Sequence, residues 1–308
     1  MSTGLDRLSG LDPTPVNDGD ANSNTNTNTQ SSTNTPKHTP LSLDLTSPIP
    51  HLLLTSTASV ATIKLPQILS ALSAHTLSII ILLTPSARHF LAGQSAEQPP
   101  LSSLLQYKNV IGMYFDEDEW SEPWVRGNKI LHIELRRWGD VMVIAPLSAD
   151  MLARVTGGYA DGLIASVVRA WDTRGTVDGV RSDVVPIYRH PDAPTRKEGE
   201  GEDGEDEEDW RKNPKKHIIV APSMNTAMWQ QPVTRQQIRV LDEEWGVRNG
   251  GWFEVLLPME KKELACGDVG GGAMRDWREI VKVIEERLGL VGGKEGKGAE
   301  TGTDVVDE

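Results

Sequence analysis

Short apolar runs recur along the chain. Each ends in proline or small polar residues and gives way to a stretch with apolar positions at helical spacing. HLLLT (51–55), LSIIILLT (77–84), the start of NVIGMYFDEDEW (109–120), VMVIAP (141–146), HIIVA (217–221) and GWFEVLLP (251–258) read as strands. Their length and their lack of polar alternation suit strands covered on both faces, as in parallel sheets. Residues 59–72 predict a helix with Val60, Ile63, Ile68, Leu69 and Leu72 inward, kinked or shifted at its start by Pro66. A short helix starts within 87–93, linker and helix fill 94–109, and 131–138 opens another helix, with Arg136 and Arg137 on a free or intersubunit surface. Residues 147–172 predict a loop and one long helix with Leu163, Ile164, Val167, Val168 and Trp171 on its inner face. Pro232 opens and Gly246 ends a helix lined by Ile238, Leu241 and Trp245. A capping box of Asp276 and Glu279 starts the last helix, with Trp277, Ile280, Val281, Ile284 and Leu288 as its buried stripe. Regular alternation of strand and helix predicts an α/β fold, a doubly wound parallel sheet between helical layers.

Where the periodicity stops, so does the expectation of a packed domain. Residues 1–48 are rich in Ser, Thr and Asn and cannot bury enough surface to offset their ordering entropy, so they read as disordered. The domain then spans 49–290, and 291–308 is a polar, disordered tail. An insertion at 191–216 holds nine acids between positions 198 and 209, and like charges in a block repel and stay disordered. Without those nine the net charge of −13 would be −4.

The charge argues against general nucleic-acid affinity. No apolar run approaches the ~20 residues that cross a bilayer. The N-terminus carries Asp6, Asp12, Asp18 and Asp20 and no apolar core, unlike a signal peptide. A single cysteine, Cys266, fits a reducing compartment. The expected location is the cytoplasm, with the nucleus as a further one.

Candidate chemistry gathers at strand ends. Two strands end in Ala-Pro, at 145–146 and 221–222, which places their loops on one sheet edge. Asn225 sits just beyond the second, where open α/β sheets hold ligands, and a carboxamide donates and accepts at once. Thr55, Ser56, Thr57 and Ser59 before a helix start make a phosphate seat. His132 and Cys266 are candidate proton carriers. Each has a plainer reading: a strand with a Met/Trp plug, a capped helix, a structural histidine, an inert buried thiol.

Pro222, Met224, Asn225, Met228 and Trp229 spell P-x-M-N-x-x-M-W. With LHIELRRWGDVMVIAPLSAD (131–150) and LACGDVGGGAM (264–274), this resembles the homo-oligomeric, flavin-containing Cys decarboxylases, in particular the phosphopantothenoylcysteine decarboxylases of fungi and plants. The resemblance covers 50–288 apart from the insertion. It implies a flavodoxin-like fold and FMN held by Ser59, Val60, Thr84, Ser86, Ser148, Ala149, Asp150 and Ser223, with no metal. The implied substrate is 4'-phosphopantothenoylcysteine, decarboxylated to 4'-phosphopantetheine for coenzyme A. Oxidation of its thiol to a thioaldehyde creates the electron sink for CO2 loss, and the enethiol formed is then reduced. His132 would be the base and Cys266 the final proton donor, with Asn225, Ala265 and Met274 at the substrate. Relatives are trimers, so a homotrimer, or a heterotrimer with paralogues, is implied, with His132 and Cys266 of one site on different chains. Departures are Thr55 and Ala58 where glycine is common, Asp150 and Met151 where relatives read Asn-Thr, and Glu263 where they carry a base. The alternative is a halotolerance-type regulator that inhibits a protein phosphatase. A weaker one is another flavin enzyme of this fold, such as a peptidyl-cysteine decarboxylase; a prenyl-flavin synthase fits the signature poorly.

Overall fold

Six of the apolar runs pair into one parallel sheet. In chain order they are β1 (His51–Ser56), β2 (Ser78–Leu83), β5 (Val110–Tyr114), β6 (Val141–Leu147), β7 (His217–Pro222) and β8 (Phe253–Val255), and their order across the sheet is β5-β2-β1-β6-β7-β8. The structure, a computed structural model, describes residues 43–193, 213–258, 262–263 and 269–290. A small hairpin, β3 (Ala92–Ser95) and β4 (Gln98–Pro100), lies after β2, and a second, β9 (Lys262–Glu263) and β10 (Val269–Gly270), after β8.

Side-chain alternation splits the interior into two cores. Leu52, Leu54, Ile79, Ile81 and Val143 face α1 (Leu65–Leu72) and α8 (Trp277–Leu288). Leu53, Ile80, Leu82, Met142 and Ile144 face α3 (Leu131–Trp138), α4 (Ala149–Gly157) and α5 (Leu163–Arg169). Helices on both sheet faces make the expected three layers. Each fully buried Leu or Ile contributes roughly 1.5–3 kcal/mol.

Several expectations need correction. Residues 59–72 are not one helix: Val60–Lys64 is a 3-10 turn, and α1 starts behind it with Pro66 in its first turn. Val60 is therefore exposed and not inward. The short helix expected within 87–93 runs Pro85–Arg88 instead, and residues 92–106 hold the β3–β4 hairpin and a 3-10 stretch, Leu101–Gln106. The long helix within 147–172 is two. Gly158 (φ 73°) ends α4 in the left-handed region and Gly162 (φ 91°) precedes α5. A side chain at Gly162 would also meet Asp116 Oδ2 at 3.0 Å. Only three residues of 251–258 pair as strand. The helix at 232–246 is α7 (Pro232–Arg239) followed by a π-helical turn, Val240–Glu244. Arg136 is buried against Asp178 (3.0 Å). The capping box does not form: Asp276 caps α8 by accepting from Arg278 N–H (2.9 Å), and Glu279 pairs with Arg275 (2.7 Å).

Segment ends also shift. Leu43 packs on the second core, and Arg181 donates to Ser47 O (2.6 Å), so the last residues of 1–48 belong to the fold. Lys215 and Lys216, read as the end of the insertion, are buried, and Lys216 donates to Arg137 O (2.8 Å). Residues 1–42, 194–212 and 291–308 lie outside the described residues.

Candidate active site

The strand order reverses between β1 and β6, and open sheets leave a crevice at such a point. Local hydrogen bonds lock its rim. Thr57 Oγ1 donates to Pro146 O (2.9 Å) and accepts from Ser148 N–H (2.7 Å), tying the loops after β1 and β6. Ser59 Oγ donates to Ser223 Oγ (2.9 Å), adding the loop after β7. Met224 N–H then donates to Gly272 O (2.9 Å), adding the segment after β10. Gly272 is required there, because its φ is 104° and a Cβ would lie 2.5 Å from Met224 O.

Each loop feeds a capped helical start. Ser148 accepts from Met151 N–H (3.2 Å) at α4, and Thr84 from Ala87 N–H (3.2 Å) at α2 (Pro85–Arg88). Asn225 accepts from Met228 N–H (2.8 Å) at α6 (Thr226–Gln230). Such caps satisfy donors that the first turn leaves free.

These loops enclose a cavity of about 530 Å3 that brings together Ser59, Val60, Ser148, Ala149, Asp150, Ser223, Asn225 and Met274. Thr84 and Ser86 line a smaller cavity, about 230 Å3, which shares Ala58, Ser148 and Asp150 with the first. His132 lies elsewhere, in a third cavity of about 500 Å3 that shares Asp116, Asp161 and Gly162 with the second. One chain thus does not bring His132 and Asn225 into one cavity. Ala265 and Cys266 lie outside the described residues, between the paired strands β9 and β10.

Asp150 does not stand in the crevice as a bare anion. Its Oδ2 accepts from Arg154 Nε (2.8 Å), and Arg154 also holds Asp161. Those bonds hold the Arg154 guanidinium above its ordinary pKa and the Asp161 carboxyl below its own. His132 Nδ1 lies 2.9 Å from Glu119 Oε1. Sequence reasoning did not single out Glu119 among the four acids at 116–119. Their position after a strand on the ligand-bearing edge was the available signal. Lys64, Phe90 and Trp277 were missed as cavity residues too.

Chemically, the large cavity suits a ligand with a flat apolar part and an anionic end. Val60 and Met228, at its wall, are 37% and 50% exposed, and Met224 and Met274 are buried beside them. Hydroxyls and helical starts supply the polar end. Residues 42–178 and 208–289 match the Flavoprotein family.

The chain belongs to that family. This flavoprotein is 34% identical over 236 residues to a probable phosphopantothenoylcysteine decarboxylase of Arabidopsis thaliana, covering 77% of this chain and 87% of the relative. Among solved structures it resembles a cysteine-to-serine mutant of PPC decarboxylase complexed with pantothenoylaminoethenethiol: 32% identity, 77% of this chain, 97% of the other and a TM-score of 0.53. The FMN binding protein AtHal3 is similar at 33% identity, 77% and 95% coverage and a TM-score of 0.52. The family expected from 131–150, 222–229 and 264–274 is the one found. No helix among the described residues of the flavoprotein is long and apolar enough to cross a membrane.

Proposed function

We propose that the chain is an FMN-dependent decarboxylase that converts 4'-phosphopantothenoylcysteine to 4'-phosphopantetheine, a step toward coenzyme A. The observation that carries this reading is the 530 Å3 cavity at the strand-order reversal, where Asn225 and three loop serines meet an apolar wall. FMN fits that lining. Val60 and Met228 leave apolar surface open that a flat ring would cover, and the loop hydroxyls suit a phosphate. Bound FMN supplies a two-electron acceptor, and later donor, for the substrate's cysteine carbon. Ser59, Val60, Ser148, Ala149, Asp150 and Ser223 would hold it, with Thr84 and Ser86 in the adjoining cavity.

The chain's own groups divide the remaining work. The Asn225 carbonyl is committed to Met228 N–H, and its NH2, with no partner among the described residues, would bind the substrate carboxylate. Buried Met274 keeps water from that carboxylate, which favours release of neutral CO2. His132 takes the substrate thiol proton, and Cys266 returns a proton to the enethiolate. A relative that carries serine for a cysteine and holds an aminoethenethiol supports that last assignment. Because His132 and Asn225 line different cavities, a second copy of the chain is read as completing each site, in a trimer.

The test is CO2 release from 4'-phosphopantothenoylcysteine by purified protein without added nicotinamide. Activity and FMN on denaturation are expected. A protein that neither holds FMN nor releases CO2 would overturn the reading. A second role, inhibition of a protein phosphatase, draws support from the acid-rich 198–209 stretch. Deleting that stretch should then remove inhibition and spare CO2 release.

A further inference from the structure

The turn after β5 carries acids at 116, 117, 118 and 119, and each has its own partner. Asp116 Oδ1 accepts from Leu163 N–H (2.8 Å) at the start of α5. Glu117 pairs with Arg88 of α2. Asp118 Oδ2 accepts from Phe115 N–H (2.7 Å). Three acids therefore brace the turn against α2, α5 and the end of β5. The fourth, Glu119, is delivered to α3, where its Oε1 lies 2.9 Å from His132 Nδ1. Its side chain is only 5% exposed, and its Oε2 is buried with no hydrogen-bond partner among the described residues. A carboxylate desolvated to that degree is costly unless a partner uses its charge. The other acid of that helical turn, Glu134, is already committed to Lys129 (3.0 Å) and Arg137 (2.9 Å).

We propose that Glu119 is the positioning residue for His132: its carboxylate accepts the Nδ1 proton and leaves the Nε2 lone pair as the base. This rests on reading His132 as the group that deprotonates the substrate thiol. The logic is one of proton count. A neutral imidazole carries a single N–H, and an ionised carboxylate only accepts. With Nδ1–H spent on Glu119, Nε2 is left bare. When the substrate S–H bond gives its proton to Nε2, the imidazolium forms beside an anion already in place, and no proton passes to Glu119. The anion matters because His132 is the second residue of α3, where the helix N-terminus disfavours positive charge. Carboxylates behind catalytic or metal-bound histidines fix the tautomer in the same way.

The experiment uses the full-length, flavin-loaded protein labelled with 15N-histidine. Spectra of the wild type, with His132→Asn assigning the signal, should show His132 as the Nδ1–H tautomer. In Glu119→Gln the amide can donate to Nδ1, so the Nε2–H form should grow. Turnover in that variant should fall on the order of 10–100-fold with KM changed less than about twofold, and Glu119→Asp should recover part of it. A wild-type Nε2–H tautomer, or a Glu119→Gln enzyme with unchanged kcat, would overturn the proposal. Should Glu119→Gln fail to fold, the wild-type tautomer alone decides. Full activity in His132→Asn would instead sink the reading of His132 as the base, and the spectrum would still report whether Glu119 holds the ring.

Discussion

At the scale of single residues, Asn225 would serve fold and chemistry together on the proposed reading. Its carbonyl caps α6, and its NH2 is the group proposed to meet the substrate carboxylate. Aspartate caps as well as asparagine, so Asn225→Asp should keep urea stability within about 1 kcal/mol. It replaces the donor with a second anion, so kcat/KM should drop by at least about 100-fold. Asn225→Ala should lose both, with about 1 kcal/mol off stability. Equal activity in Asn225→Asp and the wild type would remove Asn225 from the site. That Asn225, Ser59 and Ser148 would gather around one cavity was legible because a strand end, a small polar residue and a helical start are all local signals. Glu119 was legible only as one of four acids after a strand: which of them turns in to meet α3 is a long-range matter that the local pattern does not fix.

Among elements, the strands were the legible part, since burial on both faces leaves unbroken apolar runs. The break between α4 and α5 was harder, because apolar spacing continues through Gly158 and Gly162 and only the backbone angles show the stop. β7 brings a further consequence. Its first residue, His217, is buried edge-on to Tyr188. Burial, then the charges of Arg287 and Lys215, push its pKa down to about 4. The unfolded chain takes up this proton near pH 6.5, and the folded chain does so only near 4. The stabilisation is therefore complete above about pH 6.5 and is lost as the pH falls toward 4, by roughly 2–3 kcal/mol. Urea unfolding at pH 7 and pH 4.5 should show this loss, and His217→Phe should shrink it. His51 is lowered by burial in the same direction, so some acid sensitivity should remain. If His217→Phe unfolds with the wild-type pH dependence, the buried histidine is not the cause.

For the whole molecule, assembly is where a single chain says least. No periodicity marks a subunit contact, yet His132 and Asn225 open onto different cavities. If neighbours complete each site, His132→Asn, which releases no CO2, and Cys266→Ser, which stops after a single round, should regain repeated CO2 release when mixed after subunit exchange. Exchange confirmed by mass and followed by no recovery would argue for sites within one chain. On the proposed reading the capped helical starts along the sheet edge receive the cofactor's phosphate. They act on a phosphate only at contact, whereas the net charge of −13 acts at a distance. Salt shortens that reach to about 10 Å at 0.1 M. Raising ionic strength should therefore speed FMN association in stopped flow and leave its dissociation rate nearly unchanged. Removing 198–209 should flatten the dependence. Association that slows with salt would mean that a positive field, and not close contact, guides the cofactor in.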